Sequence, residues 1–173
     1  MEIEEHILIR SFRGKTPKVH PKAFISEFAY VIGDVEIGEN SSIWPGTVVR
    51  GDGDKITIGK NTNVQDNSVI HSGTIGDGVT IGHNVTWHGT RVGDNCLIGN
   101  GATVNSRVEV GDLCIVASGA VVLPNEKVTS GSFMAGVPAT VQTKVTERHK
   151  KMIKGNALGL VKQAQFYKEE GLE

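Results

Sequence analysis

The chain lacks the features that mark several functional classes. Its charge is balanced, with 18 Lys and Arg against 19 Asp and Glu, for a net charge of −1. A surface that holds nucleic acid or an anionic membrane carries a basic excess, and this composition has none. No apolar run approaches the roughly 20 residues of a membrane-spanning helix. The opening stretch, MEIEEHILIRSFRGKTPKVH, is acidic and has no long apolar centre of the kind a secretory signal needs. The expectation is a cytoplasmic protein with no nucleic-acid or membrane partner. Cysteine is scarce too. Cys96 and Cys114 are the only two in 173 residues, so they are expected as buried free thiols filling small apolar spaces.

What the chain has is a period of six. Stepping by six from Val19 reaches Ile25, Val31, Ile37, Ile43 and Val49. After an interruption at residues 52–55 the step resumes at Ile58, Val64 and Ile70. One residue drops out before Ile75, Ile81 and Trp87, and one more before Val92, Ile98, Val104, Val110, Val116, Val122, Val128 and Met134. Eighteen of these twenty positions are Ile or Val, a regularity that neither a helix of period 3.6 nor a half-buried strand of period 2 produces. A hexapeptide repeat does, and it specifies a parallel β-helix, triangular in section, with three hexapeptides per coil. The β-branched residue turns inward, and the glycine that often follows eases the corner.

This register decides which side chains can meet. Residues about eighteen apart stack on one face, with coils about 4.8 Å apart. His71 follows Ile70 and His88 follows Trp87, so both occupy the slot after an inward residue, on consecutive coils. His83 lies two residues after Ile81, on another face. A three-histidine set therefore needs His83 from a neighbouring subunit, and a closed three-fold ring would carry one such set at each interface. Three imidazoles with an open fourth position are the ligand set of catalytic zinc. Iron(II) and cobalt accept the same ligands.

The combination of Val49-Arg50-Gly51-Asp52, Asn63-Val64-Gln65-Asp66-Asn67, Ile70-His71, Ile81-Gly82-His83-Asn84 and Trp87-His88-Gly89 resembles the gamma-class carbonic anhydrase family. The resemblance runs from about Val19 to the C-terminal helix. It implies an all-β fold, a left-handed parallel β-helix with a C-terminal α-helix, assembled as a homotrimer. It implies His71, His83 and His88 as metal ligands, with zinc as cofactor, and the reversible hydration of carbon dioxide to bicarbonate. Arg50, Asp52, Gln65 and Asp66 fall on the family's polar positions around the metal and the interface. Arg50 and Asp52 are expected to pair across that interface, the alternative being a surface ion pair of little energetic value. Gln65 would orient the attacking oxygen through its amide. Asp66 would receive Arg50 or support a ligand, Asn63 would assist, and Asn67 would serve a corner. Tyr167 resembles a tyrosine that shorter members bring near the metal; packing is its other reading. The chain departs from the best-known form of the family in two places. Ser72-Gly73-Thr74 leads directly to Ile75 where that form has an acidic loop, and Gly53 stands in place of a glutamate.

Two other functions share parts of this pattern. A hexapeptide acyltransferase using an acyl-CoA has the same repeat and the same Gly-Val-Pro-Ala ending, found here at 136–139. A non-catalytic metal-binding or scaffold trimer would use the same histidines without the reaction. Three segments are expected: residues 1–18 as an N-terminal cap, 19–139 as the β-helix and 140–173 as a helical segment. In the first, His6 to Ile9 would form an edge strand before a Gly14 turn, with His6 and His20 on the surface. In the last, Thr146 would cap a short helix to about Lys154, and Gly155 and Asn156 would interrupt it. A second helix would follow, with Ala157, Leu160, Val161, Ala164 and Tyr167 as its apolar stripe. His149 is expected to be solvated.

Overall fold

An inward Val or Ile every sixth residue gives the chain a short extended step and then a corner. The computed structural model, which describes residues 8–173, follows that rule. Most strands are two residues long and pair in parallel with the equivalent strand one coil away. The result is a left-handed parallel β-helix of about seven turns with one C-terminal helix. Its handedness runs against the usual right-handed crossover between parallel strands.

Three inward columns fill the interior. Val31, Val49, Ile70, Trp87, Val104 and Val122 form one, each in register with the next. Ile43, Val64, Ile81, Ile98, Val116 and Met134 continue a second. The third runs through Ile37, Ile58, Ile75, Val92, Val110 and Val128. All of these are buried. The faces that lie outside these columns are called here the histidine face, the helix face and the third face, in that order.

The breaks in the period are physical features. Gly33 pairs with Gly51 and Val35 with Ile56, so the strand Val48–Ile58 bulges outward at 52–55 relative to Tyr30–Ile37. That bulge carries Asp52 out beside the histidine face. The first dropped residue falls at Gly73, whose φ is +82°. A Cβ there would strike the carbonyl oxygens of Gly89 and Thr90, so only glycine fits. Asparagine serves other corners, and Asn67 adopts φ +59° as its corner role requires.

Cys96 and Cys114 are free and fully buried, but they do more than fill space. The Cys96 thiol donates to Gly111 O (3.1 Å) and accepts from Cys114 N (3.3 Å), and the Cys114 thiol donates to Thr129 O (3.3 Å). The hydroxyls of Ser41 and Thr62 make the same pair of bonds in earlier coils. The adjoining Cys114 sulfur and burial push the Cys96 thiol well above its ordinary range.

The N-terminal stretch from Ile9 packs on the first coil. Ile9 pairs with Val31, and a tight turn at Arg13 and Gly14 joins Phe12 to Lys15. His6 lies outside the described residues. His20 is partly buried, with its Nδ1 accepting from Lys22 N at 3.2 Å.

The C-terminal segment corrects the two-helix expectation: a single helix spans Glu147–Glu169. Glycine in a helix interior costs only about 1 kcal/mol. Ile153, before Gly155, and Ala157 and Ala164, after it, are buried on one side of the helix, and that packing outweighs the cost. The helix lies along the helix face, against the strands at 24–25, 42–43, 63–64 and 80–81. Lys168 Nζ pins its far end by donating to Ala23 O at 2.9 Å. His149 is not a solvated bystander. Thr146 Oγ1 accepts from His149 N and His149 Nδ1 accepts from Thr146 N, both at 3.3 Å, and the imidazole stacks on Phe133. This is a capping box with histidine in place of the usual glutamate. Thr146→Ala is expected to cost about 1 kcal/mol and lower Tm by about 2–4 °C. An unchanged melting curve would show that the cap adds nothing. Among the described residues, no helix is long and apolar enough to cross a membrane.

Candidate metal centre

His71 and His88 stand on the histidine face because Ile70 and Trp87 are register partners. Their ring centres are 5.0 Å apart and their planes nearly perpendicular, at 88°. Two imidazoles bound tetrahedrally to one ion at about 2.1 Å have ring centres about 5 Å apart, so the pair fits two corners of such a site. Burial, followed by the electrostatic influence of the neighbouring His71 and Arg50, pushes the His88 pKa down. That favours the neutral ring a metal requires.

Arg50 occupies the same slot one coil earlier, since Val49 pairs with Ile70. Arg50 and Asp52 pair within the chain, Nη1 to Oδ2 at 2.5 Å. Arg50 Nη2 also donates to His71 Nδ1 (3.2 Å), and His71 Nε2 faces Asp52 Oδ1 (3.2 Å). Both ring nitrogens of His71 are thus engaged, so binding a metal would exchange one of these contacts. The Arg50 hydrogen bond, with a lesser contribution from His71, holds the Asp52 carboxyl below its usual range.

His83 stands at the corner where the helix face turns towards the histidine face. Its Nδ1 lies 3.0 Å from Asp66 Oδ2, so Asp66, rather than receiving Arg50, holds His83. An Nδ1–H donated to a carboxylate leaves Nε2 free as a ligand. The His83 N–H donates to Asn100 Oδ1 (3.0 Å), and its carbonyl accepts from Gly101 N (2.8 Å). Among the described residues, no group of three His, Cys, Asp or Glu side chains converges on one point within the chain.

Gln65 lies one coil before Gly82 and His83, because Val64 pairs with Ile81. It therefore shares the side of His83, not that of His71. Gln65 Nε2 donates to Asn63 Oδ1 (3.1 Å), and Asn63 Nδ2 donates to Thr80 Oγ1 (3.0 Å). Tyr167 packs edge-on against Trp44 and Phe24, with ring centres 5.0 and 5.7 Å away. Trp44 precedes Gln65 by one coil, since Ile43 pairs with Val64, so Tyr167 rests on the neighbour of Gln65.

Ser42 and Thr80 were not singled out from the sequence. A signal for them exists. Along the helix face, the residues before the inward column are Phe24, Ser42, Asn63, Thr80, Leu97, Ile115 and Phe133, and none is charged. Along the third face they include Lys18, Glu36, Arg91, Glu109 and Lys127. On the histidine face these positions, Tyr30, Val48, Val69, Thr86, Thr103 and Val121, are uncharged as well, so the signal excludes the third face without choosing between the other two.

Comparison with known proteins identifies relatives of the whole chain. The family described as "Bacterial transferase hexapeptide (six repeats)" matches residues 16–51 and 89–124. The chain is 38% identical to "Gamma carbonic anhydrase 2, mitochondrial" of Arabidopsis thaliana over 97% of its own length and 66% of that protein's. It thus spans just under two thirds of that relative. It is 42% identical to a protein of Methanocaldococcus jannaschii named "Probable carbonic anhydrase", over 80% of this chain and 90% of the other. Among solved structures, a hexapeptide transferase family protein from Anaplasma phagocytophilum superposes with a TM-score of 0.88 at 38% identity, covering 92% of this chain and 97% of that one. With these relatives, and with the histidines and their polar neighbours in this register, the chain belongs to the gamma-class carbonic anhydrase family.

Proposed function

We propose that this chain forms a homotrimeric, zinc-dependent carbonic anhydrase that interconverts carbon dioxide and bicarbonate. The observation that carries this reading is the separation of the ligands: His71 and His88 pair on one face, while His83 stands at a different corner with its Nδ1 on Asp66. At each subunit interface, His71 and His88 of one chain and His83 of its neighbour would hold the ion. Bound zinc supplies a water whose pKa falls from 15.7 to about 7.

The chain's own residues supply the rest. Asp66 fixes the His83 tautomer. Arg50 and Asp52 steer His71, and at the interface they would also set the register between subunits. Gln65 orients the attacking oxygen. Tyr167, held on Trp44, closes one wall beside Gln65. No acidic loop follows His71, so the released proton passes to buffer, and turnover should rise with buffer concentration.

The test is purification without chelator, metal quantification per chain, then a carbon dioxide hydration assay. Gln65→Ala should lower turnover with metal content near normal, because Gln65 is not a ligand. Loss of metal in that variant would show its role misassigned. A second reading, acyl transfer from an acyl-CoA, is favoured by the transferase name of the structural relative. It would be supported by acyl-CoA binding and turnover in protein that has no metal-dependent hydration.

A further inference from the structure

We propose that Thr80 is a positioning residue: its hydroxyl fixes the Asn63 amide, and through it the Gln65 amide, so that Gln65 turns its oxygen outward. The catalytic consequence rests on the reading of Gln65 given above, whereas the positioning itself does not.

The argument begins under the C-terminal helix. Ser42, Asn63 and Thr80 are outward-facing residues of the helix face, yet none is more than 2% exposed. The helix packs against the strands that carry them, which excludes water from this polar seam. A buried amide has to satisfy both its ends, and here the partners dictate which end goes where. Asn63 Nδ2 faces Thr80 Oγ1 at 3.0 Å and Val79 O at 3.5 Å. A backbone carbonyl only accepts, so the NH2 end of Asn63 belongs there, and Oδ1 is left facing Gln65. Oδ1 likewise only accepts, so Gln65 presents its own NH2 group, at 3.1 Å. The Gln65 oxygen is then the end turned away from the seam. Among the described residues it accepts no hydrogen bond.

A hydroxyl both donates and accepts, so the Val79 carbonyl sets the direction of the amide, and Thr80 Oγ1, at 3.0 Å, anchors the Asn63 side chain within reach of it. The Val79 contact lies at the long limit of a hydrogen bond. Without the Thr80 oxygen, the Asn63 NH2 group loses its one short acceptor. Rotating both amides by a half turn would then cost little, and would put a donor where the acceptor stood. The β-branched side chain of Thr80 has few rotamers in a strand, so its oxygen is held in place before the amides arrive. An outward acceptor on Gln65 takes a hydrogen bond from a water or from the O–H of bicarbonate. An outward NH2 group would instead favour the carboxylate oxygens of bicarbonate, which holds product.

The test reads the Gln65 side-chain amide by 1H–15N NMR, with the signals assigned by their loss in Gln65→Ala. In Thr80→Val, the amide protons should shift towards those of free glutamine and exchange about five to ten times faster, as one lost hydrogen bond implies. Thr80→Ser should restore both. Should Thr80→Val fail to fold, Thr80→Ala reads the same amide. On metal-loaded protein, Thr80→Val should lower kcat more than it changes KM, at unchanged metal content, with Thr80→Ser again restoring it. An unaltered Gln65 amide in folded Thr80→Val overturns the proposal. A perturbed amide in a protein whose parent does not hydrate carbon dioxide supports Thr80 as the positioning residue and removes the carbonic anhydrase reading instead.

Discussion

Trp87→Ala is expected to destabilise the folded chain by about 3–5 kcal/mol, the range for deleting a buried aromatic ring. Trp87 is among the largest fully buried side chains and sits in a column position, where every other residue of the three inward columns but Met134 is Ile or Val. Its ring lies over Gly89, where any Cβ would collide with it, and its Nε1 donates to Ser72 O at 3.0 Å. The ring therefore spans the coil at the corner where the period loses a residue. A β-helix coil cannot close over the gap, because its neighbours above and below fix its perimeter through parallel pairing. Urea unfolding at fixed protein concentration reads the loss as a lower midpoint with little change in slope. Trp87→Phe keeps most of the volume, loses the bond to Ser72, and should cost less. The same substitution bears on the proposed metal centre, since the Trp87 carbonyl accepts from His71 N (3.1 Å) and His88 is the next residue. A cost below about 1 kcal/mol for Trp87→Ala would mean that this coil collapses freely and is not held at the described perimeter.

The interior of this protein is legible because one rule sets every inward position. Parallel pairing fixes the coil length, so a residue's direction follows from counting. The interruption at 52–55 and the two missing residues keep their meaning under that rule, as an outward bulge and a tightened corner. By the same counting His71 and His88 fall together and His83 apart. What counting does not reach are contacts made between distant parts of the chain. Gly155 reads locally as a helix breaker, but it sits on an open side of the helix while Ile153 and Ala157 are buried. His149 reads as solvated until Phe133, on the last coil, is placed beneath its ring. The Ser42–Asn63–Thr80 seam is polar, short in side chain and spread over three coils, so it has meaning only once the helix lies over it. The buried thiols look like apolar filler because their carbonyl partners come from the next coil.

The assembly prediction has an all-or-none outcome. His71→Ala and His83→Ala each remove one ligand from every proposed site, so each variant alone is expected to bind no zinc at the site and to have no hydration activity. Mixed, they can complement. A subunit carrying His83→Ala keeps His71 and His88, and a neighbour carrying His71→Ala keeps His83. Where the two meet in that order, the interface has all three ligands. Random association of equal amounts into three-fold rings makes about one interface in four of this kind, so about a quarter of the parental zinc should return after joint unfolding and refolding. Mass spectrometry with one variant tagged shows whether mixed trimers have formed, and equilibrium dialysis then counts the zinc. Ligands drawn from one chain would leave every site defective whatever the mixing. Confirmed mixed trimers that bind no zinc at the site would refute the shared centre, as would a parental chain that light scattering shows to be monomeric while it binds zinc tightly. The expectation of recovery rests on one geometric fact: His83 turns its ring to Asp66 at its own corner, while His71 and His88 face each other on the next side of the triangle.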